Sequence, residues 1–213
     1  YGQAADTAQI LRSFAAPQTA DTPGTSSVRQ YAAATLKKLS TASTLEHLLE
    51  LYLHSEAHQK TAGRLLVEMG TESAEYQLQQ LMDSESRFER KRLLNLIKET
   101  GNPALSILLE QLHKDPPWFV VRNIIRLLGD IGTPDLFATI QQFINHPDIR
   151  VQEEVLNASV KIGSEDLKDF LLQTLQTAET SLKPKVVQLI AAHHDERFVR
   201  PLTELLENTK SFA

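Results

Sequence analysis

Phe119-Val-Val-Arg-Asn-Ile-Ile-Arg-Leu-Leu-Gly-Asp-Ile-Gly132 is the stretch that decides the fold of this 213-residue chain. Its apolar residues Val120, Val121, Ile124, Ile125, Leu127, Leu128 and Ile131 fall at three- and four-residue steps, which predicts a helix buried along one broad stripe. Gly132 reads as a left-handed helix end. Thr133-Pro134-Asp135 then reads as the start of a new helix, with a capping hydroxyl and a proline in its first turn. Leu136, Phe137, Ile140, Phe143 and Ile144 make that helix amphipathic, and Asn145-His146-Pro147-Asp148 closes it. Val151, Val155, Leu156, Ala158 and Ile162 build the next helix, which ends at Gly163.

The cycle extends along the chain. Gly70, Gly101, Gly132 and Gly163 recur at one fixed step, with His194 at the next expected position, so the chain reads as a tandem repeat of helix pairs. Around Gly101 the second helix carries Leu93, Leu94, Leu96 and Ile97, and the following first helix carries Leu105, Leu108, Leu109 and Leu112. Around Gly70 the matching residues are Ala62, Leu65, Leu66 and Met69, then Leu78, Leu81 and Met82. After His194, Phe198, Leu202, Leu205 and Leu206 take the first-helix positions, and Pro201 predicts a late start or a bend. Toward the N-terminus the step shortens. Thr41 stands where a glycine would, followed in register by Leu45, Leu48, Leu49, Tyr52 and Leu53.

Residues 4–15 predict a further first helix and residues 27–39 its partner, joined by a long, mobile loop near 17–27. The expected organisation is one repeat domain over 1–213, with an atypical N-terminal pair in 1–40 and regular repeats in 41–208. The chain opens at Tyr1 without a methionine or a charged-then-apolar leader, which fits a piece of a longer protein.

Helix pairs of about 30 residues with a proline or aspartate in the inner turn, and an Ile-Gly closing the second helix, resemble the short bacterial HEAT repeats of the phycobilisome-lyase type. Val121-Arg122 with Leu128-Gly129-Asp130-Ile131-Gly132 carries the resemblance best, and Val151-Gln152 with Lys161-Ile162-Gly163 comes next. It covers residues 27–208. The resemblance implies an all-α, α–α superhelix, a HEAT/armadillo-like solenoid of about six helix pairs stacked with a right-handed sense. First helices would line its convex side and second helices its concave side. Folds of this kind host many functions, so the resemblance speaks to architecture rather than activity.

Composition removes several classes. The absence of cysteine excludes disulfides, thiolate metal sites and a cysteine nucleophile. A net charge of −5 argues against a dedicated nucleic-acid binder. No apolar run approaches the roughly 18 residues that cross a bilayer, so this segment is not expected to insert into a membrane, and the expected location is cytoplasmic.

Charge is nevertheless sorted by face. Basic residues concentrate on second helices, and acidic ones on first helices and loops. Ten residues before each glycine stand Lys60, Lys91 and Arg122, with Glu153 breaking the row. Six before stand Arg64, Asn95, Arg126 and Asn157, then Gln188 in the frame of His194. Two before stand Glu68, Glu99 and Asp130, then Lys161. Offsets four apart form one stripe down each helix.

Neighbouring helices pack at roughly 8–10 Å, so equivalent residues form rows. Like charges in a row repel mildly, and an acidic partner would offset that cost. Asparagine side chains in the rows can hydrogen-bond an extended peptide backbone, in a manner similar to armadillo repeats. These considerations predict a protein–protein interaction scaffold that binds an acidic protein or peptide on its concave face. Lys60, Arg64, Lys91, Asn95, Arg122, Arg126 and Asn157 are the predicted contact residues.

The competing explanation is a solvated face. Glu72, Asp135, Glu165 and Asp166 sit at first-helix starts, where the helix dipole favours them, and the basic residues would pair with acids four residues on. Two other functional classes stay open: an accessory or regulatory subunit of a metal- or chromophore-handling enzyme, and a weak nucleic-acid binder.

No catalytic constellation is visible, so the chain is expected to be neither an enzyme nor a cofactor carrier. His193-His194-Asp195-Glu196 is the densest group of potential metal ligands. The deoxyhypusine hydroxylase branch of the HEAT proteins holds iron on His-Glu pairs repeated at symmetric places, whereas this cluster occurs once and reads as a polar turn. His54 and His58 have no nearby third ligand and read as surface residues. Trp118 and Phe119, after Pro116-Pro117, open a second helix and are expected to staple its start and pack between repeats; the sharper alternative makes Trp118 an exposed anchor for a partner.

Overall fold

The computed structural model describes residues 38–193 and 195–210. The predicted helix at 4–15, the loop near 17–27, nearly all of the helix at 27–39, and His194 lie outside them. Among the described residues there are eleven α-helices, two 3-10 segments and no strand. The chain divides into two compact units, Tyr1–Asp115 and Pro116–Ala213.

The first unit contains α1 (Ala42–His54), α2 (Gln59–Glu68), α3 (Thr71–Asp83), α4 (Arg87–Thr100) and α5 (Asn102–Leu112). The first helices α1, α3 and α5 pack side by side in one layer, and the second helices α2 and α4 form the other. Thr41 starts α1 by accepting the Thr44 N–H at 3.3 Å, and Ser86 starts α4 by accepting the Glu89 N–H at 3.3 Å. Between the layers lie the residues singled out by the periodicity, with Leu66, Leu96 and Ile97 wholly buried. Second helices pass into the next first helix at a glycine, α2 into α3 through Met69 and Gly70 and α4 into α5 through Gly101 alone. Gly70 and Gly101 have φ of 63° and 67° with ψ of −128° and −136°, a region closed to side-chain-bearing residues.

The second unit contains α6 (Trp118–Ile131), a 3-10 turn at Pro134–Leu136, α7 (Phe137–Gln141), α8 (Ile149–Ile162), α9 (Leu167–Thr177), α10 (Lys183–Ala191), a 3-10 turn at Glu196–Phe198 and α11 (Val199–Lys210). Its second helices α6, α8 and α10 pack in series, α8 against both neighbours. On the first-helix side, Phe137 of α7 meets Phe170 of α9 edge to face, with ring centroids 5.8 Å apart. Asp148 caps α8 by accepting the Arg150 N–H at 2.9 Å. α11 starts late, so that Pro201 falls in its first turn, where a missing N–H costs nothing. Leu202 and Leu205 are half-buried, whereas Leu206, expected on the apolar side, is exposed.

Two local expectations are corrected. Gly132 does not take the left-handed conformation: its φ is −21° and its ψ 129°. What requires glycine there is space, since a Cβ would come within 2.8 Å of Ile162 Cγ1 and 3.0 Å of the Leu128 carbonyl oxygen. The left-handed end belongs to Gly163, at φ 69° and ψ 37°. The expected amphipathic helix through Ile144 is also cut short. Thr133 makes no side-chain cap, α7 ends at Gln141, and the chain continues in tightened turns that bond Phe143 N–H to Ile140 O and Ile144 N–H to Gln141 O.

Candidate binding faces of the second helices

In the first unit the four predicted contact residues Lys60, Arg64, Lys91 and Asn95 are all exposed. Lys60 and Arg64, one turn apart on α2, line an open hollow of about 610 Å³ together with Tyr52, Glu56, Gln59, Gly63, Val67 and Glu99. Lys91 and Asn95 lie two turns and one turn before Glu99 on α4 and are not part of the lining. Gly63 brings α2 close to α1, since a Cβ there would fall 2.9 Å from the Tyr52 ring. Tyr52 O–H donates to the Arg92 carbonyl at 3.3 Å. Burial first, and the Glu99 carboxylate second, push the Tyr52 phenol pKa up, while Arg92 opposes them.

Arg92 fixes the wall of this hollow. Its guanidinium donates to the carbonyls of Tyr52 at 2.9 Å and Leu53 at 2.7 Å, satisfying the end of α1, and lies 4.4 Å over the Phe88 ring. The sequence reading missed Arg92, Tyr52 and Gly63 as parts of the site. The available signal was a glycine inside a helical run. A second hollow of about 490 Å³ opens among α1, α3 and α5 and carries Glu72, Glu75 and Glu110 against the single cation Lys114. The two hollows therefore differ in charge: three carboxylates and one cation line the first-helix hollow, and two of each line the α2 hollow.

In the second unit Trp118, Arg122, Arg126 and Asp130 form one stripe along α6, and Arg150, Glu154, Asn157 and Lys161 one along α8. The stripes interlock as rungs. At one end the Arg150 guanidinium lies 3.4 Å from the Trp118 ring centroid and forms a two-point bond with Asp148, Nε to Oδ1 at 2.9 Å and Nη2 to Oδ2 at 2.6 Å. That hydrogen bonding holds the Asp148 carboxyl down to about 2. At the other end Lys161 Nζ donates to Asp130 Oδ1 at 2.7 Å. Between them stands Glu154, attracted by Arg126, Lys161 and Arg122 and repelled by Asp130, yet with its pKa raised because burial outweighs those charges.

Of the predicted residues in this unit, Arg126 is exposed, while Arg122 and Asn157 are half-buried. Arg122 donates to Asn123 Oδ1 at 3.2 Å and lies 5.7 Å from the Trp118 centroid. Pairing within one helix was the expectation for the solvated face; Asp130 instead bonds Lys161 on the neighbouring second helix. Trp118 is half-buried beneath Arg150 of the next repeat, and Phe119 remains 41% exposed with its ring edge-on to Trp118. Arg150 and Glu154 were missed as members of this face.

Among the described residues the histidine groups do not gather ligands. Asp195 is engaged by Lys168 and by Arg197, and it caps the following 3-10 turn. His58 Nδ1 lies 2.9 Å from Ser55 Oγ, and His54 Nε2 is 3.9 Å from Glu89. Among the described residues, no group of three histidines, aspartates or glutamates could hold a metal ion. None of the described helices is long and apolar enough to cross a membrane.

Helix pairs repeating at a fixed period, with the second helices of each unit laid side by side, define an all-α repeat protein of the α–α solenoid class. Residues 105–183 match the family model described as HEAT repeats, so the chain carries HEAT repeats over that stretch. Among solved structures it is similar to the complex of CpcE and CpcF of phycocyanin lyase from Nostoc sp. PCC7120, with 20% identity over 84% of this chain and 74% of that chain and a TM-score of 0.35. No curated protein matches the chain.

Proposed function

We propose that this chain is a protein-interaction scaffold that takes up an acidic protein segment on its second-helix faces, the concave side of a HEAT solenoid. In the first unit the contacts fall to Lys60, Arg64, Lys91 and Asn95, and in the second to Arg122, Arg126 and Asn157. One observation carries the reading: Lys60 and Arg64, one turn apart, share an open hollow whose lining offers Gly63, Val67 and Tyr52 beside the carboxylates of Glu56 and Glu99. Cations over an apolar floor suit a side chain that ends in a carboxylate, the cations fixing orientation and the floor supplying burial. The role is binding rather than catalysis.

The test uses a fluorescein-labelled peptide of ten aspartates, with a ten-asparagine peptide as control, and reads anisotropy. The aspartate peptide is expected to bind and to weaken as salt rises, because exposed charges are screened. Lys60→Glu with Arg64→Glu is expected to weaken binding at least about tenfold. Lys114→Glu, in the first-helix hollow, changes little. Equal binding of both peptides, or an unaffected double reversal, overturns the reading for the first unit.

A further inference from the structure

We infer that Glu154 is a resident occupant of the second unit's second-helix face, its carboxylate standing in the place an acidic partner's carboxylate would take beside Arg122 and Arg126. Glu154 is then the residue that sets how tightly this face accepts an acidic segment. The inference rests on the acidic-partner reading above and goes beyond it, since that reading names only the attracting side chains.

The rungs fix the placement. α6 and α8 meet backbone to backbone where a Cβ on Gly129 would lie 2.6 Å from Ala158 Cβ. Toward their starts the Trp118–Arg150 stack joins the helices at 3.4 Å, and toward their ends the Asp130–Lys161 pair joins them at 2.7 Å. Glu154 is one turn after Arg150 and one turn before Ala158, so it lies between two joined rungs, where α6 presents Arg122 and Arg126. It is half-buried there, and the charges acting on it are Arg126, Lys161, Arg122 and Asp130.

The neighbouring Glu153 is exposed and is not among the charges acting on Glu154. On α10 the equivalent position, one repeat further on, is the half-buried Lys185. A carboxylate in this position is therefore a property of α8 and not of every second helix. The Glu154 pKa is raised, so burial disfavours the ion even with three cations near it. An incoming carboxylate that draws Arg122 and Arg126 outward therefore competes with a poorly solvated rival.

The same aspartate peptide distinguishes the possibilities, read against wild type, Glu154→Gln, Glu153→Gln, Arg122→Glu with Arg126→Glu, and Glu154→Gln placed in that double reversal. Circular dichroism melting confirms that each variant is folded. The inference expects Glu154→Gln to bind at least about threefold tighter than wild type, with Glu153→Gln changing affinity far less and the double reversal abolishing the gain. If Glu154→Gln and Glu153→Gln tighten binding equally, net charge accounts for the effect and the inference falls. If Glu154→Gln leaves affinity unchanged or weaker while the double reversal abolishes it, the inference falls and the acidic-partner reading stands. If wild type and Glu154→Gln bind no better than the double reversal, both fall in this unit.

Discussion

The two units build their second-helix faces from the same sequence period and arrive at different surfaces. In the second unit α6 and α8 touch at Gly129 and Ala158, and their polar stripes close into rungs. One repeat back, Lys98 on α4 stands in place of Gly129, and two repeats back Val67 on α2 does, while Ala158 becomes Leu127 and then Leu96. At the α2–α4 contact the place of the small pair is thus taken by Val67 and Leu96. Leu96 is wholly buried and reaches to within 3.8 Å of where a Gly63 Cβ would be, and Val67 lines an open hollow. Bulk at two positions separates a hollow that can be entered from a seam that is sealed.

The strongest test of this contrast places the same side chain at equivalent positions of the two faces. Gly129→Leu is expected to cost about 3 kcal/mol, because the new side chain has only the Ala158 backbone to displace. Val67→Leu, beside open space, is expected to stay within about 0.5 kcal/mol of wild type. Urea denaturation followed by fluorescence serves for the first, since Trp118 is the one tryptophan and lies in the second unit. Circular dichroism serves for the second. Similar costs would mean that the hollow is not the consequence of residue size.

A smaller effect is expected at the joints between repeats, where Gly101 of the first unit and Gly132 of the second differ. A Cβ on Gly101 would meet nothing within 4 Å, so Gly101→Ala isolates the torsional cost of its positive φ. That cost is about 1–3 kcal/mol, because the conformation is essentially reserved for glycine. At Gly132, where φ is negative, the penalty of Gly132→Ala comes from contact with Ile162 and the Leu128 carbonyl instead. Adding Ile162→Ala is expected to relieve part of the loss at Gly132 and none at Gly101, as a double-mutant cycle would show.

The architecture was legible because burial in stacked helix pairs imposes its period directly on the chain. Leu93, Leu96, Ile97, Ile124, Leu128, Val155 and Leu156 were placed by spacing alone, and all are buried. Conformation at the joints was less legible, since Gly132 shares the spacing of Gly101 but serves close approach rather than a positive φ. For the candidate faces, spacing put Arg122, Arg126 and Asp130 on one stripe of α6, and the structure extends that stripe by one turn to Trp118. Spacing could not reveal that Asp130 bonds Lys161, although opposite charges at the same position of successive repeats carried that signal. Glu154 and Arg92 were missed for a shared reason: both act across to another helix from a position nine residues before a glycine, outside the rows defined by exposed charge.

The sealed seam also predicts a response to acid. The hydrogen bonds from Arg150 hold the Asp148 carboxyl down to about 2, below its ordinary range. A depressed carboxyl contributes stability above its unfolded value of about 3.9, and that contribution is lost as pH falls toward 2. Protonation also releases the guanidinium that covers Trp118. Trp118 emission is therefore expected to change between pH 4 and 2, and Asp148→Asn is expected to flatten that change. An unaltered transition in the variant would place the acid response elsewhere.

The smallest expected effect concerns the middle rung, and its sign is opposite. Burial raises the Glu154 pKa, so the folded chain holds that proton more firmly than the unfolded chain does. The resulting stability is complete below the unfolded glutamate value of about 4.3 and is lost as pH rises through the folded one. Glu154→Gln carries no such penalty. Relative to wild type it is expected to melt higher at pH 8 than at pH 4, with the difference shrinking steadily as pH falls. If the variant instead melts lower at pH 8 and recovers toward pH 4, the attraction of Arg122, Arg126 and Lys161 outweighs burial. The seam would then be held by its charges as much as by the contact of Gly129 with Ala158, and an acidic partner would have to break a favourable pair to enter.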